Sequence, residues 1–515
     1  MSDTQLPVDT NGSFFGKSRL FLSFTLFVIF ALGLGIRLYD LTDPPLDFHS
    51  TRQLRSAIIA RGLYYANLSS APDWLRERAR GQLESHNLIE PPVFEAAAAL
   101  AYRVIGANDV WVARILASIF WMIGGVALYF LARDITSADG GVIAAAYYMF
   151  VPFGVIASRS FQPDPLMVMF ILLALWAIFR WYHQPSWETA ILAGVLAGAA
   201  LFVKAVALFF ILVPFAGLLL VGKGFKKSLK DPQVWVIGAL TVLPMLAYHF
   251  YGVYILGSLE SQFEGRFFPE MWTDPTFYAR WIGIASSYVG YGSLLGSFLG
   301  LLLFVSPAKR AYGIGLWLGY GLYGMTFPYH IITHSYYHLP LIPIVAFSLS
   351  PLAAVALRPL NNLKPIALVR FVFLGILFAG IIGKVWDVRT DLASQDYKHE
   401  PAYWEEIADI LGNESSVVAL THDYGNRLAY YGWITPKIWL PKGHIEKYRE
   451  LRGGSPIDVQ EWFSEVTENR DYFLVTLMKQ LEKQPELEEL LYTNYAIYAQ
   501  GDGFIIFDLH QPLHK

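Results

Sequence analysis

Leu20-Phe-Leu-Ser-Phe-Thr-Leu-Phe-Val-Ile-Phe-Ala-Leu-Gly-Leu-Gly-Ile36 is an uninterrupted apolar run, and Asp43-Pro-Pro-Leu-Asp47-Phe-His49-Ser-Thr-Arg52-Gln53 follows it almost at once. The run is long enough to cross a bilayer as a helix, and no signal-peptide cleavage pattern follows it, so it reads as a first spanning helix. The polar stretch behind it continues to about residue 110, too large for a connector. Apolar segments then recur at 111–132, 141–157, 165–181, 189–203, 206–221, 234–252, 281–304, 312–328, 336–357 and 366–386, and no further apolar segment of spanning length follows. This pattern predicts a polytopic α-helical membrane domain over 1–386 with about eleven crossings. Its first loop spans 40–110, and a soluble α/β domain covers 387–515.

Composition agrees. Of 515 residues, 55% are hydrophobic and only 16% charged, against about a quarter charged in soluble proteins. A net charge of −3 argues against a nucleic-acid partner. With no Cys there can be no disulfide or thiolate metal site, so a metal would need His and carboxylates. Basic residues in short loops orient the chain. Lys17 and Arg19, Arg133, Arg180, Lys223 to Lys230, Lys309 with Arg310, and Arg358 with Lys364 fall on one side. That side is expected to be cytoplasmic, with the first loop and the C-terminal domain outside a plasma membrane. The apolar stretch Val93–Val104 would invert this order if it crossed, so it is expected to lie along the outer interface. Arg159, Lys204 and Arg280 break the basic-inside pattern. Such charges either snorkel or pair locally, as Arg159 or Lys204 with Asp164, or they meet an anionic ligand such as a lipid phosphate.

In the C-terminal part, Val417–Leu420 and Tyr472–Thr476 read as buried strands, 401–411 and 478–492 as helices, and Ile497–Asp508 as a hairpin turning at Gly501-Asp502-Gly503. It has no Gly-rich phosphate loop. His422, Asp423 and Arg427 follow a strand, where ligands often bind, although a self-satisfied loop cluster is the plainer reading.

Asp47 stands just past the first helix, close enough to the bilayer for its carboxylate to face both a lipid headgroup and an acceptor. A hydroxyl displacing a phosphate leaving group needs a base there; the alternative is that Asp47 caps the helix following it. His49 and Arg52 line the same stretch as acceptor-side candidates. His330, His334 and His338 are spaced by four, which aligns side chains on one helical face. Together with Glu90 they suggest a zinc or magnesium site, although hydrogen-bonded His and Tyr also collect at outer helix ends without a metal.

Several segments carry a family resemblance. Glu90-Pro-Pro-Val-Phe-Glu, Ala107-Asn-Asp-Val-Trp-Val-Ala-Arg114, Leu128-Tyr-Phe-Leu-Ala-Arg133, Ser158-Arg-Ser-Phe-Gln-Pro-Asp164-Pro-Leu, Leu196-Ala-Gly-Ala-Ala-Leu-Phe-Val-Lys204 and His334-Ser-Tyr336-Tyr337-His338-Leu-Pro-Leu-Ile-Pro occur in that order. They resemble the GT-C polyprenyl-phosphate-sugar-dependent glycosyltransferases, which include protein O-mannosyltransferases and the aminoarabinose transferase of lipid A. The resemblance implies a catalytic Asp at Asp47, where many relatives carry Asp-Glu and this chain has Asp47-Phe48. It implies further acids at Glu90, in some relatives a metal or acceptor contact, and at Asp164. The expected donor-phosphate contacts are Lys204, Arg159, His334, Tyr336 and Tyr337. Glu90 with His334 is the expected core of any metal site, though no metal is required.

The reading that follows is inverting sugar transfer from a polyprenyl-phosphate donor to a lipid, glycan or protein acceptor at the outer membrane face. A lipid transporter or flippase would favour internal repeats and charges at the bilayer midplane, but here ionisable residues gather at one face. A catalytically silent lipid-binding relative is the third reading.

Overall fold

The computed structural model describes residues 13–66, 68–86, 90–257, 259, 267–412, 414–451 and 458–513. The chain packs as two compact units, each built from separated segments. One comprises Met1–Leu41, Asn87–Ala98 and Trp111–Gln395; the other comprises Thr42–His86, Ala99–Val110 and Asp396–Lys515. Most of the first loop therefore groups with the C-terminal residues, whereas the sequence reading assigned it to the membrane domain. The boundary before the C-terminal part also falls later than 386, because one helix runs unbroken over Ile366–Ser394.

In the first unit every expected span coincides with a helix or a bent pair. Among the described residues, six helices are long and apolar enough to cross a membrane: Arg19–Arg37, Val110–Ile135, Asp164–His183, Pro232–Tyr254, Ser335–Asn362 and Ile366–Ser394. The count reaches eight if two bent pairs are each one span. Ala138–Phe150 with Pro152–Ser158 bends by 65°, where Pro152 removes a backbone donor, and Pro275–Val289 with Tyr291–Leu302 bends by 96° at Gly290, which has φ 82°. Two more expected spans are the shorter apolar helices Trp187–Val203 and Ala207–Lys223. The last, Pro307–Thr326, begins with Lys309 and Arg310.

Local sequence explains the ends. Ser186 and Thr189 form a reciprocal capping box, while Asp231 and Asp274 each cap a helix whose first residue is Pro. Small residues set the packing. A Cβ on Gly198 would stand 2.3 Å from the Leu240 carbonyl oxygen, and one on Gly319 would stand 2.2 Å from that of Phe209. Both helix pairs are thus drawn to backbone contact, as small-residue faces allow in a membrane.

The second unit holds a five-stranded sheet ordered β2-β1-β3-β5-β4, from β1 (Val417–Leu420), β2 (Lys437–Ile438), β3 (Tyr472–Val475), β4 (Tyr495–Gly501) and β5 (Phe504–Pro512). β1 is parallel to β2 and β3, and β5 runs antiparallel to β3 and β4. Both faces are covered. Val418 and Leu420 join Trp439, Phe463 and Phe473 in one core, while Val417 and Ala419 join Trp404, Ile407 and Ile506 in the other. This is why β1 is an all-apolar run instead of an alternating one. The expected helix over 478–492 is two helices, Met478–Leu481 and Pro485–Asn494, separated just before Pro485.

Helix Val93–Ile105 is one continuous element. Phe94, Ala98 and Tyr102 are buried, whereas Leu100, Val104 and Ile105 are exposed.

Candidate functional site

Lys204 stands where helix Trp187–Val203 stops. Its backbone is extended (φ −158°, ψ 118°), and the next helix does not begin until Ala207, so the side chain projects from a break in the helical stack. It is 6% exposed. Its Nζ donates to both carboxylate oxygens of Asp164, at 2.9 and 3.1 Å. Asp164 occupies the first turn of its own helix, between Pro163 and Pro165, where the helix dipole favours a carboxylate. Glu90 brings a second carboxylate to within 3.9 Å of the ammonium.

Aromatic rings complete the surroundings. The ammonium lies 4.9 Å from the Tyr336 ring centre and 5.6 Å from that of Tyr337, distances at which ring quadrupoles attract a cation. His334 is ring-on-edge to Tyr336 at 5.6 Å. Four segments distant in sequence, at 90, 164, 204 and 334–337, thus meet in one cluster of the first unit. Two carboxylates already offset the one ammonium. The pairing is made entirely by side chains, and a buried pair of this kind costs about 3–5 kcal/mol when one partner is removed.

The Tyr-bearing segment is itself locked in place. Ser335–His338 forms a 3-10 turn, and Tyr337 stacks parallel on Tyr323 at 5.3 Å. The Trp281 Nε1–H donates to the Tyr320 hydroxyl at 2.9 Å; that hydroxyl meets His338 Nδ1 at 2.7 Å, and His338 Nε2 meets the Ile331 carbonyl at 2.7 Å. A carbonyl can only accept, so His338 carries its proton on Nε2 and accepts from Tyr320 at Nδ1. Tyr320 and Tyr323 were not among the sequence candidates. Their spacing of three on one helix, which puts two tyrosines on one face, was the available signal.

The three-histidine face does not form. The helix carrying His330 ends at Thr333, the 3-10 turn takes His338 away from that face, and both of its nitrogens are engaged. Among the described residues no group of three or more His, Asp or Glu side chains assembles as a metal site. Glu90 and His334, the pair expected at a zinc or magnesium site, are not part of such a group.

Arg159 has other partners. It is 1% exposed and donates to the carbonyls of Tyr39 and, at 2.8 Å, Asp40, which fixes the chain as it leaves the first helix.

Asp47, His49 and Arg52 belong to the second unit. Asp47 is half-buried in the turn before helix Ser50–Tyr65, with the Gln53 amide 3.4 Å from its Oδ1 and 2.6 Å from the Phe48 carbonyl. The N-cap position of that helix is held by His49, with left-handed backbone (φ 46°) and no side-chain cap bond of its own. Arg52 lies on the first turn, half-buried.

His422, Asp423 and Arg427 form the self-satisfied cluster, with partners the sequence did not suggest. The hydroxyls of Ser50 and Thr51 donate to Asp423 Oδ1 at 2.6 and 2.9 Å, Arg427 Nε donates to Oδ2 at 2.6 Å, and Arg427 Nη1 donates to Glu400 at 2.9 Å. Burial pushes the Asp423 carboxyl up, but the bonds from Ser50, Arg427 and Thr51 outweigh it and hold it below 3.8. Burial also lowers the His422 imidazole from 6.5. A few residues on, Arg61 donates to the carbonyls of Tyr430 and Ala429 and to Gln82, and its guanidinium lies 3.5 Å from the Trp433 ring centre. Burial brings its pKa down to about 10, so it stays charged at neutral pH.

The family described as dolichyl-phosphate-mannose-protein mannosyltransferase matches residues 89–251, which include Glu90, Asp164 and Lys204. No curated protein matches the chain significantly. Among solved structures, ArnT from Cupriavidus metallidurans bound to undecaprenyl phosphate is 15% identical at a TM-score of 0.56, over 95% of this chain and 97% of that one. Its apo form is 14% identical at 0.58, over 94% and 98%. The oligosaccharyltransferase AglB from Archaeoglobus fulgidus, in complex with an inhibitory peptide and a dolichol-phosphate, is 13% identical at 0.52, over 95% of this chain and 74% of that one. The chain is thus a multi-pass membrane protein with the GT-C fold of the polyprenyl-phosphate-sugar-dependent glycosyltransferases, and the family match together with that fold supports glycosyl transfer from a lipid-linked sugar.

Proposed function

We propose that this protein transfers a sugar, with inversion, from a polyprenyl-phosphate donor to an acceptor at the outer face of the membrane. The observation that carries the reading is the convergence of Glu90, Asp164, Lys204, His334, Tyr336 and Tyr337 in one cluster, since these are six of the positions that the family resemblance singles out. ArnT and AglB are solved with undecaprenyl phosphate and dolichol-phosphate, and a lipid phosphate is the donor group proposed here.

In this reading the donor phosphate approaches Lys204 from the side of Glu90. At 3.9 Å that carboxylate is the looser of the two partners, while Asp164 keeps the ammonium in position. Lys204 then stabilises charge that develops on the leaving phosphate, where a fixed cation in a partly dry site acts most strongly. For the acceptor hydroxyl the proposed base is Asp47, on the strength of the family resemblance. Attack at the anomeric carbon from the face opposite the departing phosphate inverts that centre. The distribution of basic residues in the short loops supports a C-terminal part outside, and in that orientation the acceptor arrives from the aqueous side.

The test is reconstitution in liposomes with a panel of polyprenyl-phosphate sugars, read by mass spectrometry. One donor should be consumed with release of polyprenyl phosphate and appearance of a glycosylated acceptor of opposite anomeric configuration. Movement of intact donor across the bilayer without cleavage would replace this reading with transport.

A further inference from the structure

A cavity of about 290 Å³ opens in the second unit, and none of the residues assigned to sugar transfer lines it. Its floor is aromatic and aliphatic. Trp439 and Trp462 stack at 4.0 Å there, beside Leu487 and Val459. Trp439 is buried in the core behind and is anchored by its Nε1–H to Gln484 at 2.9 Å. Trp462 is only half-buried, so it has surface left to offer a ligand. The rim carries two exposed cations, Lys442 and Lys483, and two exposed acids, Glu446 and Glu486.

This composition selects among ligands. The volume lies at the small end of the range for small-molecule sites, roughly 300–1,000 Å³, and is too small for a docked helix or strand. Opposite charges balance around the rim, which disfavours phosphates and other polyanions. A purely apolar guest would gain nothing from four charged groups. A pyranose fits both parts: one face of the ring presents C–H bonds that pack on an indole, and its edge presents hydroxyls that both donate and accept. Carboxylates accept from those hydroxyls and ammonium groups donate to them.

We infer that the cavity between Trp439, Trp462 and the Lys442, Glu446, Lys483, Glu486 rim is a carbohydrate-binding subsite that holds one pyranose unit. None of its residues belongs to the Lys204 cluster or to the Asp47 turn.

The experiment uses the full-length protein in nanodiscs, with saturation-transfer NMR against glucose, mannose, galactose and N-acetylglucosamine. At least one of these should receive saturation at its ring protons. Trp462→Ala should weaken that sugar by about tenfold or more, and the rim variant Lys483→Gln/Glu486→Gln, at exposed positions that leave the core intact, should weaken it severalfold. Undecaprenyl phosphate affinity should be unchanged in the rim variant. Absence of saturation transfer to all four sugars overturns the inference, as does binding that survives both variants. Loss of sugar binding in Lys204→Arg with retention in the rim variant also overturns it, by assigning the sugar to the transfer site instead.

Discussion

Two buried cations in this molecule are held in opposite ways. Lys204, in the membrane unit, is paired only with side chains, from Asp164 and Glu90 under Tyr336 and Tyr337. Arg61, in the second unit, binds two backbone carbonyls of one helix, at Ala429 and Tyr430, and stacks on Trp433. A side-chain pair can be exchanged for a ligand by turning a few rotamers. A guanidinium on backbone carbonyls can be released only by moving the helix that carries them. The difference separates a pair that rotamer changes can open from a joint that opens only with its helix.

The sharpest break of this comparison is Arg61→Ala. It takes the guanidinium donor from the Tyr430 carbonyl and from Gln82 Oε1 inside a packed interior, while Ala429 keeps only its bond from Gln82 Nε2, so stability should fall by about 3 kcal/mol or more. Thermal unfolding should begin in the second unit; a melting curve like that of the parent protein would end the joint interpretation. Asp47→Asn, in the same unit, should do the reverse. Turnover should fall on the order of a hundredfold, as expected for a positioned base, with the melting curve preserved. Normal turnover in that variant would move the base to Glu90 or Asp164.

Lys204→Arg keeps the charge beside Asp164 but changes reach and geometry. Undecaprenyl phosphate affinity should drop by about tenfold with little change in melting, and unchanged affinity would return Lys204 to a structural role. Ser50→Ala and Thr51→Val each remove one donor to Asp423, at about 1 kcal/mol apiece. Hydrogen exchange should then quicken in helix Ser50–Tyr65 and at Asp423–Arg427 together; faster exchange in only one of them would show that they are not coupled.

The mildest effect is one of pH. Burial lowers His86 and His422 below 6.5, and Asp423 sits below 3.8. Each folded pKa is depressed, so each contribution is complete above the ordinary value and is lost as pH falls through the folded value. Stability of the second unit should therefore decline in two stages on acidification, first below about 6.5 and again below about 3.8. A flat profile down to pH 5 would remove the histidines from this account.

What the sequence made legible follows from range. Strands Val417–Leu420 and Tyr472–Val475, the hairpin around Gly501-Asp502-Gly503 and the helix Glu400–Leu411 all depend on neighbours a few residues away. Periodicity and turn chemistry record such neighbours directly. The segments that meet at Lys204 were legible as well, but through family resemblance, because no local pattern brings 90, 164, 204 and 336 together. The Ser50–Asp423 contact was not legible at all: its partners are 373 residues apart, and each alone looks like an ordinary polar loop residue. His338 misled because its spacing of four assumed a helix that ends five residues earlier, at Thr333.

That long separation also has a consequence in time. The second unit is made from chain that leaves the ribosome early, Thr42–His86 and Ala99–Val110, and chain that leaves much later, Asp396–Lys515. At 5–20 residues per second, Ser50 waits roughly 20 to 75 s for Asp423 to be synthesised. During that interval Arg61 and Gln82 lack their partners at Ala429 and Tyr430, and the two hydroxyls lack Asp423, while the membrane helices are inserted one after another. Truncations that stop short of β1 should therefore yield an inserted helical unit with an early loop that a protease cuts readily, and a nascent chain at this stage is a natural client for chaperones on the side of the membrane where the loop emerges.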